Sequence, residues 1–204
     1  MRVALIDYRA GNLTSVKKAF AAVGADLFVP AEPADLGTAA AVVVPGVGHF
    51  AATDALTPDW VETLRAGVEA GVPLLGICLG MQWLFEGREE APELPGLRLL
   101  EGRCYRLPAE SNGTSVKIPH VGWNALDVRR GDSIVDGVPP GAQVYFTHSF
   151  AAPITNDTVA ITDHGQPFAA IVQRGHVAGV QFHPEKSGEV GLQILRNFLR
   201  LTDD

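Results

Sequence analysis

The sequence predicts an α/β fold: an open, mixed, mostly parallel sheet flanked by helices, in a single domain. Three observations carry that reading. Over residues 1–86, short apolar runs alternate with stretches of helical periodicity, the signature of parallel strands joined by helices. The runs are apolar on both faces, as strands covered by helices must be. From 87 to about 185 the helical period gives way to short β-type runs separated by Gly, Asn, Asp and Pro.

The elements follow in order. Residues 2–7 form a short apolar run fit for a buried strand. Asn12 or Thr14 caps the next segment, in which Val16, Ala19, Phe20 and Val23 share one face, and Gly24 stands at its C-terminal end. Residues 26–29 and 40–44 are strands ended by Pro30 and Pro45. Residues 58–70 read as a helix through Trp60, Leu64 and Val68, and Gly71 stops it. A fourth strand, 73–77, passes almost without a loop into a helix over 79–86. The later β-type runs are 97–107, 122–128, 143–150, 158–162, 168–173 and 176–182. The last two, joined through Arg174 and Gly175, make the clearest hairpin. A final helix covers 188–201, with Leu192, Ile194, Leu195, Phe198 and Leu199 toward the core. Neither an internal repeat nor a linker interrupts the chain.

Composition removes several function classes. The chain has 204 residues, 47% apolar and 19% charged, the balance of a globular protein with a sizeable core. A net charge of −7, without a run of Lys or Arg, argues against nucleic acid as a partner. Two cysteines make neither a disulfide framework nor a thiolate metal site. No apolar stretch reaches the roughly 18 residues of a membrane span. The apolar run from Val3 to Ile6 is too short for a secretion signal, so the expected location is the cytoplasm.

Gly76-Ile77-Cys78-Leu79-Gly80 follows an apolar strand and opens a helix. It is the cysteine counterpart of the G-x-S-x-G nucleophile elbow, in which a sharp turn lifts the nucleophile to the top of the sheet. A helix N-terminus there favours a thiolate and presents N–H donors to an oxyanion. Alone, the pentapeptide is equally the pattern of a small buried cysteine beside turn glycines. Gln181-Phe182-His183-Pro184-Glu185 ends the last β-type run, where reacting groups gather in an α/β sheet. His183 fits a proton shuttle and Glu185 the group that orients it. Alone, H-P-E reads as a surface loop; behind a cysteine elbow, a Cys78–His183–Glu185 triad is the better reading. Pro45-Gly46-Val47-Gly48 follows a buried strand and is able to turn backbone N–H groups toward a ligand. The lack of G-K-[ST] argues against a phosphate loop.

Taken together, G-I-C-L-G-M-Q, Q-F-H-P-E-K-S and P-G-V-G resemble the class I (triad) glutamine amidotransferases, whose fold is flavodoxin-like. Within them, D-Y-R-A-G-N-L, P-G-V-G-H-F, P-H-V-G-W-N and Y-F-T-H-S-F resemble the family of glutaminase subunits of imidazole glycerol phosphate synthase. The likeness spans the chain and implies one amidotransferase type 1 domain over 1–204. It implies that Cys78 attacks the glutamine side-chain amide through a thioester, with His183 and Glu185 as its partners. It implies an oxyanion hole from the Val47 and Leu79 N–H groups, and glutamine contacts at Gly48, Gln82, Ser149 and Phe150. It further implies that ammonia passes to a (β/α)8-barrel cyclase subunit in a heterodimer serving histidine biosynthesis, with no cofactor. Tyr8, Asn12, His120 and Trp123 are expected at that partner interface. Arg9 stands where the family commonly has Gly, Val121 where it has Met, and Phe150 where it often has Tyr. Two other classes fit the same motifs: the glutaminase of another synthase, and a cysteine hydrolase or inactive binding domain on this fold.

Other reactive side chains carry less. Cys104 reads as a core residue, His49, His120, His148, His164 and His176 as surface or hydrogen-bonded histidines, and 86–90 as a solvated charged loop.

Overall fold

The computed structural model describes residues 1–11 and 13–202. The first half runs β1 (Arg2–Leu5), α1 (Leu13–Ala22), β2 (Asp26–Phe28), β3 (Ala41–Val44), α2 (Pro58–Glu69), β4 (Leu74–Ile77) and α3 (Leu79–Trp83). The chain closes with α4 (Gly188–Arg200). Asn12, an expected cap, lies outside the described residues. Because α1 begins at Leu13, Thr14 lies inside the helix rather than at its cap.

One eight-stranded sheet joins the two halves of the chain. Its order is β2-β1-β3-β4, then Val177–Val180, Pro167–Arg174, Thr158–Asp163 and Asp127–Val128. Pairing is parallel from β2 through to Val177–Val180 and antiparallel beyond it. The expected hairpin around Arg174 and Gly175 is present, with Arg174 opposite Val177. The hydrophobic runs have the two-sided burial their composition requires. In β1, Val3 and Leu5 enter one core with Phe20 of α1 and Phe198 of α4. Ala4 enters the other, with Leu64 of α2 and Trp83 of α3.

Several expected elements are shorter or divided; 143–150, for one, divides into Gln143–His148 and Phe150–Ala151. The helix over 79–86 stops at Trp83. Its last carbonyls bond to the segment that follows, not to a further turn: Leu97 N donates to Trp83 O, and Leu99 N and Leu100 N to Leu84 O. The same segment is therefore not strand, and of 97–107 only Tyr105–Arg106 pairs as one. Finally, 122–128 divides into His120–Ala125 and Asp127–Val128, and the first leaves the main sheet to pair antiparallel with Gln143–His148.

The parallel register sets where chemistry gathers. β3, β4 and Val177–Val180 all end at the same edge, so residues 45–48, Cys78 and Gln181–His183 converge there.

Candidate active site

Two glycines make the turn at Cys78. A Cβ on Gly80 would stand 1.7 Å from Val44 O, and one on Gly76 would stand 2.6 Å from Met81 N. Only glycine permits helix and strand to approach that closely. Cys78 takes φ 53° and ψ −106°, a strained conformation for a residue with a side chain, held by its N–H on Val180 O at 2.8 Å. The helix behind it has five residues, so its dipole acts through little more than one turn.

His183 Nδ1 lies 2.8 Å from Glu185 Oε1, and both side chains are buried. The turn that joins them is fixed from both sides. Ser187 Oγ donates to His183 O at 2.6 Å, and His183 N donates to Tyr145 O at 2.9 Å. Nε2 is buried without a standard hydrogen bond among the described residues, and the Cys78 sulfur lies beside the ring. Burial alone lowers the imidazole pKa. The sulfur and the Glu185 carboxylate outweigh it and raise the value to about 10. The arrangement favours an imidazolium beside sulfur, the pair needed for nucleophilic attack and for protonation of a leaving amine.

That charge links pH to stability. The folded pKa lies above the ordinary value of about 6.5, so its contribution is whole below 6.5 and is lost as pH rises through about 10. The melting temperature is expected to fall over that window, and Glu185→Gln to flatten the fall. Parallel curves for the two proteins would show that Glu185 does not support the charge.

A cavity of about 670 Å³ opens beside Cys78, and Gly48, Leu79, Gln82, Ser149 and Phe150 line it. Gln82 is buried and its amide is fully engaged. Nε2 donates to Phe150 O at 2.7 Å and to Gln181 Oε1 at 2.8 Å, while Oε1 accepts from Arg88 at 2.8 Å. Gln82 therefore shapes the wall of the cavity.

The expected oxyanion hole is not formed in this conformation. Leu79 N donates to Gly46 O at 3.1 Å, and Val47 N donates to Ala10 O at 3.0 Å. Gly46 O and Val47 N belong to one peptide unit, and that unit presents its carbonyl to the donor the substrate would need. Val47 itself does not line the cavity; its side chain is exposed.

The charged stretch 86–90 is solvated only in part: Glu86 and Glu89 are exposed, whereas Arg88 is buried. Arg88 is 4% exposed, forms an ion pair with Glu90, donates to Gly48 O at 3.2 Å, and covers the Phe150 ring at 4.5 Å. Burial lowers its pKa to about 10. Arg88, Glu89 and Glu90 all line the cavity. Gly48 and Phe150, which cover Arg88, lie far along the chain, so no local pattern marks its burial. Gln181, whose Nε2 lies 3.6 Å from the Cys78 sulfur, stands two positions before His183 in the segment that follows the strand Val177–Val180.

The expected partner face changes. Tyr8 is buried because Arg9 (φ 63°) and Gly11 (φ 150°) curl the chain back over residues 46 and 47. Arg9 thus occupies a left-handed position that suits Gly, held by its N–H on Asp7 Oδ1 at 2.9 Å. His120 is buried as well, with Nδ1 3.0 Å from His148 Nε2, while His148 Nδ1 lies 2.8 Å from Phe150 O. Burial lowers the two imidazoles to about 4 and about 3, so both are neutral. Trp123 is 57% exposed, edge-on to Tyr145 at 6.1 Å, and Val121 shares its outward face. Asn12 lies outside the described residues.

No helix among the described residues is long and apolar enough to cross a membrane. Residues 4–201 match the family described as glutamine amidotransferase class-I. The chain is 44% identical to imidazole glycerol phosphate synthase subunit HisH of Moorella thermoacetica, over 96% of this chain and 93% of that one. It is 45% identical to the subunit of the same name from Syntrophotalea carbinolica, over 96% and 98%. A crystal structure of a glutamine amidotransferase superposes with a TM-score of 0.76 at 22% identity, covering 99% of both chains, a likeness of fold. Likeness of this extent, running through elbow, triad loop and hairpin alike, makes the chain a class I glutamine amidotransferase of the family of imidazole glycerol phosphate synthase HisH subunits.

Proposed function

We propose that residues 1–204 form one glutaminase domain that releases ammonia from L-glutamine and passes it to a (β/α)8-barrel cyclase. Partner and glutaminase together then make imidazole glycerol phosphate and aminoimidazole carboxamide ribotide in the cytoplasm. The observation that carries this reading is the buried His183–Glu185 pair beside Cys78, which lines the cavity. The Cys78 thiolate attacks the side-chain amide carbon, and the C–N electrons leave with nitrogen. His183 returns the proton it holds to the departing ammonia, and Glu185 keeps the ring in one orientation. Water, with its proton taken by His183, then releases glutamate from the thioester. Gly48, Gln82, Ser149 and Phe150 surround the substrate. The reaction requires no cofactor.

The oxyanion hole forms when the peptide between Gly46 and Val47 rotates. Rotation withdraws the Gly46 carbonyl from Leu79 N–H and turns Val47 N–H inward, giving two donors to the tetrahedral intermediate. Partner binding favours the rotated state by the difference in its affinity for the two states.

Trp123 and Val121 form the outward face of the strand His120–Ala125, and we assign that face to the cyclase. Large exposed aromatics anchor interfaces, and truncating one costs about 2 kcal/mol or more of binding. Trp123→Ala is expected to weaken co-purification with the cyclase while the isolated subunit keeps its melting temperature. A subunit that unfolds, with unchanged binding per folded molecule, would return Trp123 to the core. Ammonia-coupled turnover of the purified pair tests the whole reading: a pair that forms product only from free ammonia, never from glutamine, would end it.

A further inference from the structure

Tyr8 occupies the turn that leaves β1 and is only 4% exposed. Its Oη has no hydrogen-bond partner among the described residues. A buried hydroxyl without a partner destabilises the conformation that leaves it so. Phenylalanine would fill the same space without that burden. The hydroxyl must therefore be explained by a state in which it is paired.

Its surroundings identify that state. A Cβ built on Gly46 would stand 1.9 Å from Tyr8 Oη and 3.0 Å from Leu79 Cβ. Tyr8 Oη thus lies against Gly46, whose carbonyl sits on Leu79 N–H. Burial, reinforced by Cys78 and opposed by Arg88, pushes the phenol well above the ordinary tyrosine range. The group is a neutral O–H, and so a donor. When the peptide between Gly46 and Val47 rotates, the Gly46 carbonyl loses the Leu79 donor. A buried carbonyl needs another. Tyr8 carries the unused O–H beside it.

We propose that Tyr8 is a positioning residue for the oxyanion hole: its hydroxyl donates to the Gly46 carbonyl after rotation and so holds Val47 N–H toward the substrate. The inference rests on the rotating peptide put forward under Proposed function. The present conformation leaves the hydroxyl unpaired and the rotated one pairs it, so Tyr8 biases the equilibrium toward the competent state. It touches neither glutamine nor sulfur in this role. Its effect falls on the fraction of molecules able to stabilise the oxyanion, hence on kcat and not on glutamine binding.

The test is Tyr8→Phe in the assembled complex with the cyclase ligand bound, measured as glutamate release. The expected result is a fall of about tenfold in kcat, the worth of one hydrogen bond, with KM for glutamine unchanged. The melting temperature of the isolated variant should hold or rise, because an unpaired buried hydroxyl has been removed. An unchanged kcat, in a complex whose wild type is stimulated, would overturn the role of Tyr8 and leave the rotating peptide standing. A kcat that falls together with the melting temperature, or a variant that does not fold, would show that the hydroxyl serves the resting structure and would overturn it equally. A wild type without stimulation by partner and ligand would remove the rotating peptide itself, and Tyr8 with it.

Discussion

Cys78→Ala is expected to abolish glutamine hydrolysis, lowering kcat by at least about 10⁴-fold, because no other group on the cavity wall can replace the nucleophile. The second cysteine offers no alternative. Cys104 is fully buried, its Sγ lies 3.7 Å from Gln82 O, and burial drives its thiol far above the ordinary range. A thiol that stays protonated is a poor nucleophile. Cys104→Ala should therefore retain most of the activity. Treatment of the complex with a glutamine-like electrophile and mass spectrometry should show one adduct, on Cys78. An adduct confined to Cys104 would refute the assignment. Cys78 differs in its place at a strained turn, facing an imidazole whose pKa is raised to about 10.

The isolated subunit is expected to be nearly inactive, and the complex with the cyclase ligand bound to be faster by about 10²–10³-fold. That factor is the ordinary effect of one missing oxyanion donor, about 2.7–4 kcal/mol, and is the floor of the expected stimulation where two are engaged. In the described conformation neither intended donor is free, since Leu79 N–H and Val47 N–H both hold internal carbonyls at 3.1 and 3.0 Å. The ground-state amide still fits a cavity that is already open, so stimulation should appear in kcat more than in KM. The measurement is glutamate release by the subunit, the complex, and the complex with ligand. Equal rates in all three would mean that the hole is preformed and no rotation occurs.

The fold class was legible because its physics is local. Valine- and leucine-rich runs that stop at Pro45 or turn at Gly76, set between amphipathic helices, allow little besides a covered parallel sheet. That Cys78 and His183 come near each other was legible for a related reason: each follows closely on a strand whose own pattern is clear. Elements decided by distant partners were not. The end of α3 at Trp83 depends on N–H groups of Leu97 and Leu99 that no helix signal contains. The burial of Arg88 depends on Gln82, Gly48 and Phe150 meeting around it, while its neighbours Glu89 and Glu90 look solvated on paper. Tyr8 was misplaced because a strand end does not say which way the chain turns next. Here the backbone of Arg9 and Gly11 turns it inward.

The Gly46 carbonyl resting on Leu79 N–H also bears on inhibitor discovery. A compound that mimics the tetrahedral intermediate carries an anionic oxygen, and in the lone subunit that oxygen meets another oxygen instead of two donors. Like charge at hydrogen-bond distance rejects it, however well its remaining atoms fit the cavity. Ligands selected on the lone chain would therefore be planar, amide-like molecules that read only the glutamine groove. On the proposed rotation, the complex with its cyclase ligand is expected to present the opposite chemistry and to prefer the negatively charged mimic. A library assayed against both forms sorts its own hits into those that recognise the groove and those that recognise the hole.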